Sequence, residues 1–228
     1  MTSLINFYEK IPEDLKTKYP VDRNYKNHMI DPTSNILIIG QSGTGKTNAL
    51  INFLSLKNDC FAEVIIFTGT TADEPLYNFL KKKNPEVQLI DNIDELPELS
   101  DFNDADKSLE RLIVFDDVAG LPKKDETKLK NFIKACRKYG FTALFIYQSY
   151  ATAPKFIRDN SNVFWIFKQP STVSLEYILR DKKSVEVDKR HLFELYEYAT
   201  GKKGDFFQIN TKGKPENMFR RNFTEILR

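Results

Sequence analysis

The sequence predicts an α/β fold, a mostly parallel sheet with helices on both faces. Three observations predict it. Short, almost wholly apolar runs recur along the 228 residues: NILIIG (35–40), EVIIFTG (63–69), RLIVFDD (111–117), FTALFIYQ (141–148) and NVFWIFKQ (162–169). Such runs suit strands buried on both faces. Helical patterns separate them, and strands alternating with helices indicate a parallel sheet. Finally, the glycine-rich turn GQSGTGKT follows the first run and opens a helix.

The elements follow in order. Residues 1–34 carry polar and proline breaks and read as an N-terminal arm over the core. Residues 35–170 form the core. There the first strand is followed by a helix from Thr47 to about Lys57, a second strand at 63–69 and a helix from Pro75 to Lys83, opened by Asp73 and Glu74. EVQLID (86–91) is a weaker strand. DNIDELPELSDFNDAD (91–106) is an acidic loop with a short helix. Asp125 to Tyr139 is an amphipathic helix: Leu129, Phe132, Ile133, Cys136 and Tyr139 fall at helical spacing, and Gly140 is placed to end it. Residues 171–228 form a C-terminal appendage packed on the core. It holds helices at 174–179 and 189–199, then a basic β-hairpin over 204–223 turned at Lys212 to Pro215.

Hydrophobic residues make up 41% of the chain, enough for a real core. MTSLINFYEKIPEDL lacks a basic segment followed by a long apolar one, so no cleavable signal is expected. No apolar run approaches the roughly 18 residues of a membrane span. These features predict a soluble intracellular protein. Cys60 and Cys136 are far apart and read as buried free thiols. With only His28 and His191 besides, a protein zinc site is not expected. Net charge is +2, too small to indicate nucleic acid by itself. Residues 201–228 hold seven basic and three acidic residues, so about +4, while residues 91–106 hold seven acidic residues and no basic one. Both read first as solvated surface.

The segment Gly40, Gln41, Ser42, Gly43, Thr44, Gly45, Lys46, Thr47 matches G-x-x-x-x-G-K-[ST] at every fixed position, between a strand and a helix. Glycines let the backbone curl so that its N–H groups point at phosphate oxygens. The helix start adds its positive end. Lys46 reaches the β- and γ-phosphates, and Thr47 offers a hydroxyl to Mg²⁺. Such a cradle defines a P-loop NTPase. It needs a metal-side acid at the end of another strand, and LIVFDD supplies it. Asp116 follows four apolar residues and would hold Mg²⁺. Asp117 would face the γ-phosphate, where a carboxylate can orient and deprotonate the attacking water. Asp117 to Gly120 also spells D-x-x-G, a GTPase switch pattern. No N-K-x-D segment follows to select guanine, so ATP is the expected nucleotide. Gln148 ends a buried strand on the side where ligands gather in such sheets. Its amide can bond the γ-phosphate or the attacking water.

The cradle, the paired acids ending LIVFDD, and R-x-x-G leading into a strand that ends in glutamine resemble the FtsK–HerA superfamily of DNA-pumping ATPases, with a RecA-like core. More narrowly, the chain resembles the genome-packaging ATPases of large DNA viruses, poxvirus-like viruses and virophages. His28 to Pro32, APKFIRDNSNVFWIF (153–167) and DFFQINTKGKPENMFRRNF add to the resemblance, which covers roughly residues 28–223. One departure is visible: many superfamily members carry Asp-Glu where this chain has Asp116-Asp117, and the shorter side chain must approach the water differently.

The resemblance implies a homo-oligomeric ring that pumps double-stranded DNA without reading its sequence, with capsid or portal-vertex proteins as further partners. It places the protein in the host cytoplasm, at the viral factory, and in the virion. It also implies ATP bound between subunits, with an arginine from the neighbour completing the site, for which Arg137 and Arg158 are the candidates. Lys123-Lys124, Lys155 and Arg220-Arg221 are the candidate DNA contacts. The alternatives are a related translocase or helicase outside packaging and a nucleotide-binding module with little hydrolysis. A small-molecule kinase is weaker, because no arginine-rich lid is apparent.

Overall fold

The computed structural model describes residues 5–228 except 14, 15, 17, 19, 70–73, 119 and 182–187. One sheet runs through the molecule. Its strands are β1 (Asn35–Ile39), β2 (Phe61–Phe67), β3 (Gln88–Ile90), β4 (Glu110–Asp116), β5 (Phe141–Tyr147), β6 (Val163–Phe167), β7 (Phe206–Asn210), β8 (Phe219–Arg221) and β9 (Glu225–Leu227), in the order β3-β2-β4-β5-β1-β6-β7-β8-β9. The first six in that order pair in parallel, as the alternation of strands and helices predicts.

Helices α1 (Tyr25–His28), α2 (Lys46–Leu56), α3 (Pro75–Lys83), α4 (Lys123–Cys136), α5 (Lys155–Asn160), α6 (Val173–Asp181) and α7 (Lys189–Ala199) are divided between the faces. Leu50 and Phe53 of α2 and Tyr77 and Leu80 of α3 pack on one face, against Ile36, Ile38, Val114 and Ile146. Helices α4 to α7 cover the other through Phe132, Ile157, Ile178 and Leu192, against Leu37, Ile39, Phe115 and Phe145. Neighbouring strand residues point to opposite faces. Both faces are covered, so β1 and β4 are buried nearly throughout, with apolar centres, as the sequence suggested.

The tail differs from expectation in one respect. The hairpin of β7 and β8 does not pack on the core as an appendage. It is hydrogen-bonded into the sheet: β7 pairs antiparallel with β6 from Val163↔Asn210 to Phe167↔Phe206. An unanticipated third strand, β9, pairs with β8. Phe206, Phe207 and Phe219 are buried, and that aromatic burial fixes the register. The acidic stretch forms two single 3₁₀ turns, Ile93–Glu95 and Leu99–Phe102. Asp73, expected to help open α3, lies outside the described residues, and Glu74 is the cap.

The N-terminal arm is pinned below the sheet by a buried ionic cluster. Lys57, just past α2, lies 2.8 Å from Asp22 of the arm and 2.6 Å from Glu110 at the foot of β4. Thr142, at the foot of β5, donates to Glu110 at 2.6 Å and accepts the Thr33 N–H at 2.9 Å. His28 Nε2 lies 3.0 Å from Asp22, and its Nδ1 accepts the Ile30 N–H at 3.0 Å, which puts the ring proton on Nε2. Cys60 is half-buried beside Asp22 rather than fully buried, while Cys136 is buried; both are free.

Candidate nucleotide-binding site

The strand order decides what meets at the cradle. β5 lies between β1 and β4, with Ile39 opposite Tyr147 and Asp116 opposite Ile146. The carboxyl ends of the three strands therefore stand level. Gln148 comes to lie between the cradle after β1 and the acids after β4. One pocket of about 350 Å³ is lined by Ser42, Gly43, Gly45, Lys46, Thr47, Asp116, Asp117 and Gln148, together with Glu74 and Leu76 of α3.

The cradle adopts the backbone its sequence demands. Gly45 has φ +104° at the N-cap of α2, and a Cβ there would stand 3.3 Å from the Gly204 backbone. Lys46 Nζ donates to the Gln41 carbonyl at 2.9 Å, so the ammonium arches over its own loop. Burial pulls the Lys46 pKa below the usual lysine range, against the pull of Asp116 and Asp117.

The two acids are held differently. Asp116, 7% exposed, follows Leu112 and Val114 in the alternation of β4 and so faces α2 and α3. Burial raises its pKa, opposed by a hydrogen bond from Tyr77 and by Lys46. Asp117 turns out of the strand with φ +55°. The end of β2 makes room for that turn: a Cβ on Gly69 would stand 3.0 Å from the Asp117 carbonyl oxygen.

Two residues here escaped sequence reasoning. Glu74 adds a third carboxylate to the wall, and Tyr77, wholly buried, donates to Asp116 Oδ2 at 2.6 Å. Only the helical spacing of Tyr77 was visible, and it marks a core position as readily as a site.

The oxygens of Thr47, Asp116, Asp117 and Glu74 are hard donors with no nitrogen or sulfur ligand among them, which suits Mg²⁺. Among the described residues no cluster of three or more His, Cys, Asp or Glu could cage a metal.

Neither candidate arginine lines this pocket. Arg137 is exposed, ahead of β5 and thus at the opposite end of that strand from Gln148. Arg158 lies 3.4 Å from Asp181 and stacks on Tyr150, 5.0 Å from the ring centroid.

The candidate DNA contacts divide. Lys123, Lys124 and Lys155 are exposed at the starts of α4 and α5. Arg220 and Arg221 are structural instead. Arg220 is 2% exposed and donates to the Phe223 carbonyl, and Arg221 pairs with Asp205 at 2.6 Å. Their alternation in β8 turns one inward and ties the other to the neighbouring loop.

A G-x-x-x-x-G-K-[ST] cradle after β1 and paired acids at the end of β4, lining one pocket, define a P-loop ATPase. Within that class the chain belongs to the Poxvirus A32 protein family, which matches residues 22–204. The family resemblance read from the sequence is thus borne out. No curated protein matches the chain. Solved structures share its fold. The DNA-packaging ATPase B204 from Sulfolobus Turreted Icosahedral Virus superposes with a TM-score of 0.58 at 13% identity, over 85% of this chain and 98% of that one. B204 from Sulfolobus turreted icosahedral virus 2 in complex with ATP-gammaS gives 0.56 at 13%, over 87% and 100%. The pCW3 conjugation coupling protein TcpA with ATPgS gives 0.56 at 12%, over 92% and 71%. Among the described residues no helix is long and apolar enough to cross a membrane.

Proposed function

We propose that the protein is an ATP-driven motor that moves double-stranded DNA into viral capsids. The observation that carries this reading is the single pocket in which Lys46, Thr47, Asp116, Asp117 and Gln148 converge. Membership of the A32 family and the fold shared with B204, a genome packaging NTPase solved in complex with AMPPCP and with ATP-gammaS, support ATP as the substrate and packaging as the work.

The roles follow from position. Backbone N–H groups of residues 41–47 cradle the phosphates, and Lys46 swings from the Gln41 carbonyl to the β- and γ-phosphates. Thr47 and Asp116 would hold Mg²⁺, which when bound neutralises charge building on the phosphates. Asp117 orients the attacking water and takes its proton, and Gln148 bonds the same water or the γ-phosphate. Among the described residues no arginine lines this pocket. A finger from a neighbour in a ring, Arg137 or Arg158, completes it. Lys123, Lys124 and Lys155 contact DNA phosphates without regard to sequence. Capsid or portal-vertex proteins anchor the ring, and it works in the host cytoplasm at the viral factory.

The test is the ATPase rate of wild type, Lys46→Ala and Asp117→Asn, with and without double-stranded DNA, across salt. We expect DNA stimulation that fades with salt, no turnover in Lys46→Ala, and nucleotide binding with at least ~100-fold slower turnover in Asp117→Asn. A wild-type rate unmoved by DNA at low salt would sink the motor reading. Normal turnover in Asp117→Asn would remove the base assignment alone.

A further inference from the structure

We propose that Tyr77 is a positioning residue for the divalent cation, its hydroxyl fixing one carboxylate oxygen of Asp116, which would hold the ion. This rests on reading the pocket as a Mg²⁺–nucleotide site.

Three features of the structure carry it. First, Tyr77 sits in the first turn of α3, wholly buried, and its ring is anchored in the same apolar layer as Leu50 and Val114. The hydroxyl therefore has a fixed place. Second, that hydroxyl donates to Asp116 Oδ2 at 2.6 Å. A phenol has one proton to give, and here it is directed at the carboxylate. Third, Asp116 lines the pocket beside Lys46 and Thr47. With Oδ2 held by the phenol, Oδ1 is left for the ion. A tyrosine from α3 thus orients a metal-side carboxylate, the work that outer hydrogen-bond partners do in metal sites.

The competing account is that Tyr77 only satisfies a buried carboxylate. It predicts a loss of stability and no particular change in cation affinity. Tyr77→Phe separates the two, because it removes one oxygen and keeps the packed ring. The readouts are Mn²⁺ binding by electron paramagnetic resonance at saturating AMPPCP, and binding of a fluorescent ATP analogue in EDTA and across a Mg²⁺ titration. We expect analogue affinity in EDTA within about twofold of wild type, and a half-saturating Mn²⁺ or Mg²⁺ concentration raised roughly tenfold, the scale for lost outer-shell partners. A second comparison covers any failure of Tyr77→Phe to fold: Asp116→Asn against Asp116→Asn/Tyr77→Phe, where no buried charge is left unpaired. If Tyr77 acts through Asp116, the double variant binds the cation within about twofold of Asp116→Asn. Wild-type cation affinity in folded Tyr77→Phe, or a tenfold further loss in the double variant, overturns the proposal. Failure of the wild type to bind the analogue at any Mg²⁺ concentration overturns the site reading itself, a different result from a Tyr77 variant that matches wild type.

Discussion

Acidification should loosen the N-terminal arm through one histidine. His28 is wholly buried, with Nε2 3.0 Å from Asp22 and Nδ1 accepting the Ile30 N–H. The Lys57 ammonium binds the same Asp22 at 2.8 Å, the rings of Phe53 and Tyr25 pack edge-on, and Arg220 also bears on the imidazole. Burial first, then the Lys57 charge, hold its pKa down at about 4, against an ordinary 6.5. The native ring is therefore neutral while the unfolded ring gains a proton below about pH 6.5. Stability from this group is complete above that pH and is lost as pH falls toward about 4. At about 1.4 kcal/mol per pH unit the full loss is about 3 kcal/mol, with about 2 kcal/mol gone by pH 5. Against a typical 5–15 kcal/mol total, such a loss is easily measured. The assay is urea unfolding at several pH values between about 7 and 5, for wild type and His28→Gln. The glutamine amide can still face Asp22 and Ile30 but does not titrate. Other groups shift in both proteins and cancel in the difference. Among them are Asp22, where burial is outweighed by Lys57 and the pKa falls, and Glu110, whose pKa burial raises. If the two profiles fall in parallel over that range, the assignment is wrong.

Two further outcomes follow from the structure. Lys57→Met should cost about 3–5 kcal/mol, because it strands Asp22 and Glu110 as buried carboxylates; urea midpoints measure it, and a cost below about 1 kcal/mol would show that the cluster is solvated or repacks. Variants lacking Arg137 or Arg158 should each be mixed with Lys46→Ala. The one that supplies the finger regains ATPase activity in mixed rings, and recovery by neither would exclude both as trans residues.

Legibility in the sequence followed distance along the chain. The cradle, the amphipathic α4 and the strand ending in Asp116 are local patterns, and each lies within a few residues of where it was read: α4 starts two residues early, at Lys123, and gives way to a 3₁₀ turn over Arg137–Tyr139. Arg220-Arg221 misled for the opposite reason. A basic pair in a basic tail looks like a nucleic-acid contact. Yet Arg220 is buried, donating to Met29 Sδ, 191 residues away, as well as to the nearby Phe223 carbonyl, and Arg221 pairs with Asp205. The tail hairpin was visible, but not its pairing to β6, since strand pairing across a sheet carries no local signal.

By itself, the sequence determined the fold class, the G-x-x-x-x-G-K-[ST] turn between a strand and a helix, the acid pair closing a strand and the kinship with packaging ATPases. Each depends on residues close together in the chain, where backbone sterics and side-chain chemistry act directly. Tertiary structure alone decided that β5 slots between β1 and β4 and sets Gln148 between cradle and acids. Tertiary structure alone also brought Glu74, the cap of α3, to the pocket, set Tyr77 against Asp116 and tied the arm to the sheet through Lys57. Those outcomes are non-local. They follow from which apolar faces bury one another, and that is settled only when the whole sheet is assembled.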